Sequence, residues 1–324
     1  MPEMLGSDLL LEVHSLFPKI KTILLTGYSE IEEISKSIKA GISAYITKPW
    51  NEDHLLSEIQ SAYNLDILED EKRIAEEMLM EELRWGGELQ KTLLKRDLPK
   101  TENIEFDVLY QPLPALFCGG DYYDIIPLQN NQYLVLLGDV AGHGLKAAFI
   151  TTILKTIIFN DYVRSRIGKS FSPADFLEWL NKRIAHELTQ FPDMLITFSA
   201  ILIDIDQLRL TYSNAGQSHF FIIRGDKYYP VHQEGICLNI SEDSSYKNHI
   251  IRLKEKDHII LLTDGLIEIE KDRNTVSPEK TGEILCECSK NNDKLPVVVS
   301  RFKDLCHIET FQDDVTLLSI RLKL

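Results

Sequence analysis

The sequence predicts an α+β fold, an antiparallel β-sandwich flanked by helices, preceded by a partial α/β segment and a helical linker. Residues 99–324 show strands in series with two inserted helices, and residues 1–63 alternate short strands with helices. Residues 64–98 contain a proline-free run rich in Glu, Leu, Lys and Met. We therefore expect three segments with these boundaries.

The first segment has the alternation that is typical of a parallel, doubly wound sheet. Short apolar runs at 21–26 and Ala44–Thr47 predict strands, and helical spacing predicts helices at 7–16, 31–40 and 53–63. Strands separated by helices pair in parallel because the chain must cross back before the next strand begins.

The linker is predicted to be a long exposed helix over residues 65–95. Its apolar residues Ile67, Ile74, Met78, Trp85 and Leu89 are spaced 7, 4, 7 and 4 apart, as in a two-stranded coiled coil, so we expect a homodimer. Gly86-Gly87 would cost roughly 2 kcal/mol inside a helix, which predicts a break or a hinge. A passive linker with one solvated face is the alternative.

The third segment begins with strands predicted at 106–111, 124–128 and 133–137, and Asn130-Asn131 marks a hairpin turn between the last two. A helix is predicted at 145–162, and a second helix opens at the Ser172-Pro173 cap. The first helix is expected to bury one face, made of Ala148, Phe149, Thr152, Ile153, Thr156 and Ile157. Later strands are expected at 196–205, 208–213, 220–224, 227–231, 250–253, 258–263 and 315–322.

Composition excludes several classes of protein. The net charge of −15 argues against nucleic-acid binding, and no run of 18 apolar residues suggests a membrane span. No signal peptide is visible, and the five cysteines lack a zinc-type pair of motifs, so we expect a cytoplasmic protein. Cys286 and Cys288 are expected to be buried, reduced thiols.

Aspartates recur at the ends of apolar strands, often beside glycine: Asp121, Asp124, Asp139, Asp264 and Asp313. Carboxylate oxygens suit magnesium and manganese, and glycine lets backbone carbonyls approach an ion. A single Asp-Gly pair is more often a turn. The recurrence of the pattern favours one metal site assembled from distant strand ends.

The motifs GGDYYD, DVAGHG, SNAG, TDGLIE and DDVT, in this order, resemble the SpoIIE/RsbU branch of the PPM metal-dependent serine/threonine phosphatases over about residues 86–324. The resemblance implies two Mn²⁺ or Mg²⁺ ions, with Asp139 and the carbonyl of Val140 bridging them. It implies that Asp121 serves one ion and that Asp264 and Asp313 serve the other. Asp124 is included among the metal residues, although it or Asp314 could instead orient water. Asp139, Asp121 and Asp264 are the expected catalytic residues.

Three further positions are marked by this resemblance. His143 could act as a general acid or cap the following helix, and we favour the cap. Gln217 stands where the family usually has histidine, and Asn239 where glycine is common. These two departures concern substrate fit or loop shape rather than metal binding.

The first segment resembles the second half of a response-regulator receiver domain, through PEMLG, Thr26-Gly27, Ala40-Gly41 and Lys48-Pro49-Trp50. The resemblance implies that Thr26 and Lys48 contact a phosphoryl group and that Tyr45 changes rotamer with phosphorylation. An ordinary surface lysine is the alternative for Lys48. The phosphoacceptor aspartate would precede Met1, so we expect either a start upstream or pairing with a partner.

These observations predict a metal-dependent protein serine/threonine phosphatase. The resemblance implies that its substrate is a phosphorylated STAS-type anti-sigma-factor antagonist and that a sensor kinase controls it through the receiver segment. The alternatives are a non-catalytic response-regulator adaptor, which binds a partner without hydrolysis, and an enzyme for small phosphoesters.

Overall fold

A computed structural model describes residues 6–27, 37–39, 41–94, 97–114, 116–164, 170–269 and 274–324. The chain divides into two compact units, Met1–Glu81 and Glu82–Leu324. The predicted division into three segments at residues 63 and 98 stays a prediction. None of the helices within these ranges is both long enough and apolar enough to cross a membrane.

The first unit contains helix α1 (Gly6–Leu16) and two parallel strands, β1 (Ile23–Thr26) and β2 (Ala44–Thr47). The predicted α/β alternation is confirmed for these elements. The predicted helix at 31–40 lies outside the described residues except for positions 37–39, which are helical.

The linker forms one helix, α2 (Glu52–Leu94), of 43 residues. Asn51 caps it, since its Oδ1 accepts a hydrogen bond from the N–H of Asp53 at 2.8 Å. The predicted break or hinge at Gly86-Gly87 is wrong, as is a separate helix ending at residue 63. A Cβ on Gly87 would lie 2.2 Å from the carbonyl oxygen of Phe117, so this glycine is needed for close packing.

The second unit is a sandwich of two five-stranded antiparallel sheets. The first sheet has the order β10-β7-β6-β5-β4, with β4 (Asp121–Pro127), β5 (Gln132–Val140), β6 (Ile196–Asp204), β7 (Arg209–Ala215) and β10 (His249–Arg252). The second has the order β3-β14-β11-β8-β9, with β3 (Ile104–Gln111), β8 (Phe220–Arg224), β9 (Lys227–Val231), β11 (His258–Leu262) and β14 (Val315–Leu322). Two further short strands, β12 (Glu268–Ile269) and β13 (Asn274–Thr275), pair with each other.

The predicted hairpin between β4 and β5 is confirmed. Asn130 and Asn131 have φ values of 58° and 50°, a left-handed conformation that asparagine tolerates better than most residues. The turn sets the register in which Asp121 pairs with Asp139 at the other end of the two strands.

Helices cover both outer faces of the sandwich. The first sheet packs against α3 (Leu145–Ile157), its π-helical continuation (Ile158–Val163) and α4 (Pro173–Glu187). The second sheet packs against α5 (Pro278–Lys290) and α6 (Leu295–Cys306). A third apolar cluster fills the space between the sheets. The four layers confirm the predicted α+β class.

The buried face of α3 differs from the predicted one. Phe149 is 61% exposed and Ile153 is 38% exposed, whereas Ile150, Thr151 and Leu154 are buried. The helix is rotated because two of its polar side chains have buried partners: Thr151 bonds to Gln90, and Lys155 bonds to Asp124. The predicted cap of α4 is confirmed, since Ser172 Oγ accepts from the N–H of Asp175.

Candidate active site

Asp121 and Asp139 face each other at one end of the first sheet. They are directly opposite in the antiparallel pairing of β4 with β5. Strand alternation turns both side chains toward the second sheet, because Ile125 on β4 and Leu137 on β5 belong to the core between the sheets. Asp121 is 1% exposed.

Two threonines connect Asp121 to the second sheet. Its Oδ2 accepts hydrogen bonds from the hydroxyls of Thr263 (2.9 Å) and Thr316 (2.6 Å). Thr263 Oγ1 also accepts from the N–H of Thr316, which ties the ends of β11 and β14 together. Asp264 follows Thr263 in a single 3₁₀ turn, Asp264–Leu266, and Asp313 lies just before β14. Four of the predicted aspartates therefore gather at one end of the sandwich.

Their carboxylates influence one another strongly. Burial raises the pKa of Asp139 to about 8, and the charges of Asp264, Asp313 and Asp314 add to the effect. Burial also raises the pKa of Asp121 well above its usual range, followed by the charge of Asp139. Burial raises the pKa of Asp264 to about 6, helped by Glu268 and Asp313. Neighbouring acidic groups in a poorly solvated site favour the binding of a cation.

The donor set fits hard divalent ions. The buried carboxylates supply oxygen ligands, and the backbone approaches closely, since a Cβ on Gly120 would lie 2.6 Å from the carbonyl oxygen of Val140. In the described ranges, no three acidic, histidine or cysteine side chains already converge at ligand distance. Asp121 instead uses an oxygen for the two threonine hydroxyls, so metal ligation by these residues stays a proposal.

Asp124 is not part of this cluster, so the prediction that it is a metal residue is wrong. It lies three residues after Asp121 on the same strand, so its side chain points to the opposite face of the sheet. There its Oδ2 is 2.9 Å from Lys155 Nζ, and the hydroxyl of Tyr122 donates to it at 3.4 Å.

Asp313 and Asp314 have different surroundings. Asp314 is 2% exposed, and its carboxylate accepts from the N–H groups of Leu113 (2.8 Å) and Gly120 (2.6 Å). Asp313 is exposed, and one of its oxygens accepts from the N–H of Asp314. Both carboxylate oxygens of Asp314 are thus engaged by backbone N–H groups, and the motif-based choice of Asp313 over Asp314 as a ligand stays a prediction.

His143 is exposed in the loop before α3. The cap interpretation is wrong, because Gly144 occupies the N-cap position and no side chain makes a capping hydrogen bond. Burial raises the pKa of Asp314 to about 6, and the nearby His143 is among the groups that oppose this rise.

Sequence reasoning missed several residues that position the site. Gln90, 3% exposed on α2, donates to the carbonyl oxygen of Gly119 (2.7 Å) and to Thr151 Oγ1 (2.8 Å), and accepts from the N–H of Gly119 (3.1 Å). Thr263 and Thr316 stand inside the TDGLIE and DDVT motifs, where a search for hydroxyls beside the aspartates would have found them. Nothing in the sequence around Gln90 indicates its partners, which are remote in the chain.

Asn239 and Gln217 are the two positions that depart from the family pattern. Asn239 has a φ of 70°, a conformation suited to glycine, and its Nδ2 donates to the carbonyl oxygen of Met194 at 3.0 Å. Asparagine thus keeps the loop shape. Gln217 is 3% exposed. All five cysteines are free, and Cys286 and Cys288 are buried as predicted.

In the first unit, Thr26 and Lys48 lie at the same end of the two parallel strands. Thr26 pairs with Thr47, and the N–H of Lys48 donates to the carbonyl oxygen of Thr26 at 2.7 Å. The side chain of Tyr45 is 47% exposed. The signalling roles of these three residues stay predictions.

Comparisons with known proteins agree with this architecture. Residues 129–323 match the sequence model described as "Stage II sporulation protein E (SpoIIE)", and residues 1–60 match "Response regulator receiver domain". Phosphoserine phosphatase RsbU from Bacillus subtilis (strain 168) is 24% identical over 276 residues, which span 83% of this chain and 78% of RsbU.

Solved structures share the fold. The SiaA-PP2C domain of Pseudomonas aeruginosa matches with a TM-score of 0.63 at 19% identity, over 76% of this chain and 98% of that one. The PP2C phosphatase domain with a fragment of the regulatory domain of SpoIIE from Bacillus subtilis matches with a TM-score of 0.58 at 17% identity, over 69% of this chain and 64% of that one.

Proposed function

This chain belongs to the SpoIIE family of protein serine/threonine phosphatases, with receiver-domain sequence at residues 1–60, and on that premise we propose that it dephosphorylates a STAS-type protein under two-component control. The observation that carries the proposal is the gathering of Asp121, Asp139 and Asp264 from two sheets at one end of the sandwich. Buried carboxylates of like charge lower stability when ionised, and a bound cation would offset that cost.

Asp121, Asp139, Asp264, Asp313 and the carbonyl of Val140 would hold two Mn²⁺ or Mg²⁺ ions. When bound, the ions supply Lewis-acid chemistry that activates water for attack on a phosphomonoester. The protein's own residues orient the carboxylates: Thr263 and Thr316 fix the rotamer of Asp121 by bonding one of its oxygens.

Asp314 holds the loop after β3 against the site. It accepts from two backbone N–H groups of that loop, at Leu113 and Gly120, and so places the glycines next to Asp121. Gln90 holds the same loop through both polar backbone groups of Gly119. Positioning of this kind prepares a site for chemistry without a protein nucleophile.

The upstream elements support regulated action. The adjacency of Thr26 and Lys48 is what a phosphoryl-sensing end of a receiver sheet requires, and a sensor kinase would be the partner. The predicted seam on α2 is exposed, with Met78 at 63% and Trp85 at 67%, which supports a homodimer through this helix. The cytoplasmic location and the STAS target remain part of the proposal.

The test is release of phosphate from a serine-phosphorylated STAS protein with Mn²⁺. We expect metal-dependent release that chelation abolishes and that Asp139→Asn removes, while Asp304→Asn, an exposed aspartate on α6, leaves it unchanged. No release by the wild type, with partner binding unaffected by Asp139→Asn, would favour the adaptor alternative. Hydrolysis of p-nitrophenyl phosphate without hydrolysis of any phosphoprotein would favour the small-phosphoester alternative.

A further inference from the structure

Strand β3 lies at an edge of the second sheet. It pairs with β14 on one side, and no other described strand pairs with it. The opposite edge of this sheet, β9, contains Pro230, which has no N–H to offer a further strand. Strand β3 contains no proline over its eight residues. Unpaired strand edges are templates for pairing with other chains, so β3 is the edge of this sheet that a further strand can join.

Alternate residues of β3 direct their backbone N–H and carbonyl groups away from β14. The hydroxyl of Thr101 accepts from the N–H of Ile104 at 3.2 Å and donates to its carbonyl oxygen at 2.8 Å. The N–H of Val108 donates to Asp107 Oδ1 at 2.9 Å. Because this orientation repeats every second residue in an antiparallel pair, Phe106 faces outward as well. Among the described residues, no hydrogen bond occupies the N–H or carbonyl of Phe106 or the carbonyl of Val108, so the edge is open there.

A cavity lies on each face of the sheet at this edge. The larger, about 910 Å³, is lined by Val108 and by Leu98 and Tyr123, which pack against the apolar layer between the sheets. The smaller, about 440 Å³, is lined by Asp107 and by residues of α5 and α6, on the outer face of the sheet. Phe106 lines both cavities, so the open stretch of the edge can be reached from either face.

An added strand would send alternate side chains into the two cavities, because successive residues of a strand point to opposite faces of the sheet. Side chains on neighbouring strands contact each other when they share a face. On the inner face the neighbours are Phe106 and Val108, which favours apolar residues in the added strand. On the outer face the neighbours are Glu105 and Asp107, both exposed, which favours basic residues. The edge therefore favours a sequence that alternates apolar with basic residues.

Asp107 is the acidic group of this edge that lacks an ion pair. Lys323 Nζ lies 3.1 Å from Glu105, whereas no cationic nitrogen of the described residues lies within 4.0 Å of the Asp107 carboxylate. Arg321, which also lines the smaller cavity, is on β14, one strand farther from the edge. A second copy of β3 fits poorly, because self-pairing would bring the acidic side chains of two copies together on one face. A basic segment of another protein is the complementary occupant.

We propose that the outer edge of β3 is a docking site for an extended segment of a partner protein, which joins the second sheet as a further strand and alternates apolar with basic residues. Hydrogen bonds to the backbone of Phe106 and Val108 supply binding that any strand can make, and the two cavities select the side chains. A carbonyl of the incoming segment replaces the Asp107 carboxylate at the N–H of Val108, and a basic side chain neutralises that carboxylate.

The edge leads toward the acidic cluster. Tyr110, two residues after Val108, pairs with Thr316, whose hydroxyl bonds to Asp121. An extended chain advances about 3.3 Å per residue, so one end of a segment docked at Phe106 and Val108 lies only a few residues' length from the candidate active site. Docking itself requires no catalysis, and its test does not depend on the phosphatase function.

The probe is a fluorescein-labelled, eight-residue peptide in which valine and lysine alternate, titrated with the full chain and followed by fluorescence anisotropy. We expect saturable binding, with a Kd that rises at least about tenfold in Asp107→Lys, because this variant places a like charge beside the lysines of the peptide. Asp243→Lys, the same change of charge in the exposed loop before β10, should bind like the wild type. Equal binding by the two variants would overturn the site and leave general attraction to a negatively charged protein.

Methylated amides test the main-chain pairing. Methyl groups on the valine nitrogens alone, or on the lysine nitrogens alone, leave the charge of the peptide unchanged. Only one of these sets faces β3, so one methylated peptide should bind more than about tenfold more weakly and the other should bind like the parent. A loss with methylated valines indicates an antiparallel segment, and a loss with methylated lysines a parallel one. Equal effects of both sets would refute strand addition.

Hydrogen exchange locates the bound peptide on the wild-type chain. The amides of Phe106 and Val108 should exchange at least about tenfold more slowly when the valine–lysine peptide is present, because each gains or keeps a hydrogen-bond acceptor and loses contact with water. The amides of β9 should not change. Protection at β9 or elsewhere without protection at β3 would overturn the proposal.

Discussion

Asp121 and Asp139 lie opposite each other on neighbouring strands, in a place where water reaches them poorly. The raised pKa of Asp139 means that its ionised form is less favourable in the folded protein than in the unfolded chain. As pH rises from about 4 to about 8, the unfolded chain loses this proton first, so this group lowers the stability of the metal-free protein over that window.

We therefore predict that Asp139→Asn melts at a higher temperature than the wild type near pH 8 in the presence of a chelator. The free energy of unfolding should rise by at least about 1 kcal/mol near pH 8. This lower bound corresponds to a shift of less than one pKa unit, and the gain should vanish toward pH 4. Thermal melts across this pH range check it, with Asp304→Asn as the control. A constant difference, or a less stable Asp139→Asn at pH 8, would contradict the electrostatic account.

Substitutions of Asp313 and Asp314, the two aspartates before β14, should have different effects: one on activity and the other on stability. Asp314→Ala removes the acceptor of two backbone N–H groups and should lower the free energy of unfolding by about 3 kcal/mol. Asp313→Ala should leave the unfolding free energy within about 0.5 kcal/mol and reduce Mn²⁺-dependent turnover by more than about tenfold. Denaturant titration and phosphate release measure the two effects, and exchanged roles would refute the assignment of Asp313.

The recurrence of aspartates at strand ends, together with the family resemblance, predicted that Asp121, Asp139, Asp264 and Asp313 gather, but it also included Asp124. Asp124 was included among the metal residues through the family resemblance, and the strand was predicted to begin only at Asp124, so the facing of the two side chains was not considered. Once Asp121 is the first residue of β4, the odd separation puts the two side chains on opposite faces. The threonine contacts of Asp121 depend on how two sheets stack, which local sequence does not encode.

At the scale of elements, α2 shows that a glycine in a predicted helix can indicate either a break in the helix or a close packing contact. The sequence alone does not distinguish the two. Composition and periodicity predicted the helix, but the partner of Gly87 is Phe117, thirty residues away in the chain. The rotation of α3 was missed for the same reason, because Thr151 and Lys155 are buried by partners from α2 and β4.

The two glycines of α2 make a matched pair. Gly87→Ala should lower the free energy of unfolding by about 1 to 3 kcal/mol, because the added methyl meets a backbone carbonyl. Gly86→Ala meets only the end of the Leu145 side chain and gains helix propensity, so it should stay within about 1 kcal/mol of the wild type. Denaturant melts measure the two unfolding free energies, and equal values would contradict the close packing of Gly87 against Phe117.

At the scale of the whole molecule, hydrophobic alternation and turn residues predicted the sandwich, and the motifs predicted the end at which the aspartates gather. The order of the strands in each sheet could not be predicted from the sequence, since β3 near the beginning of the unit pairs with β14 at its end. Contacts over such separations are set by the packing of complete layers and not by neighbouring residues.

The exposed apolar seam of α2 predicts that the protein forms a homodimer through this helix. Met78→Cys should form an intermolecular disulfide under mild oxidation, because the seam is expected to face its own copy. Glu76→Cys, on the opposite face of the helix, should not. Non-reducing electrophoresis checks this, and a monomeric Met78→Cys protein at every concentration tested would exclude a dimer through this helix.

The bonds from Thr263 and Thr316 to Asp121 cross from one sheet to the other. The gap between the acidic groups of the two sheets is consequently set by the thickness of the hydrocarbon layer that separates them. Enlarging or shrinking an interior side chain such as Leu137 or Leu318 would therefore widen or narrow the separation of these acidic groups. We expect core substitutions that raise thermal stability to change the catalytic rate as well, although the substituted residues do not contact the substrate.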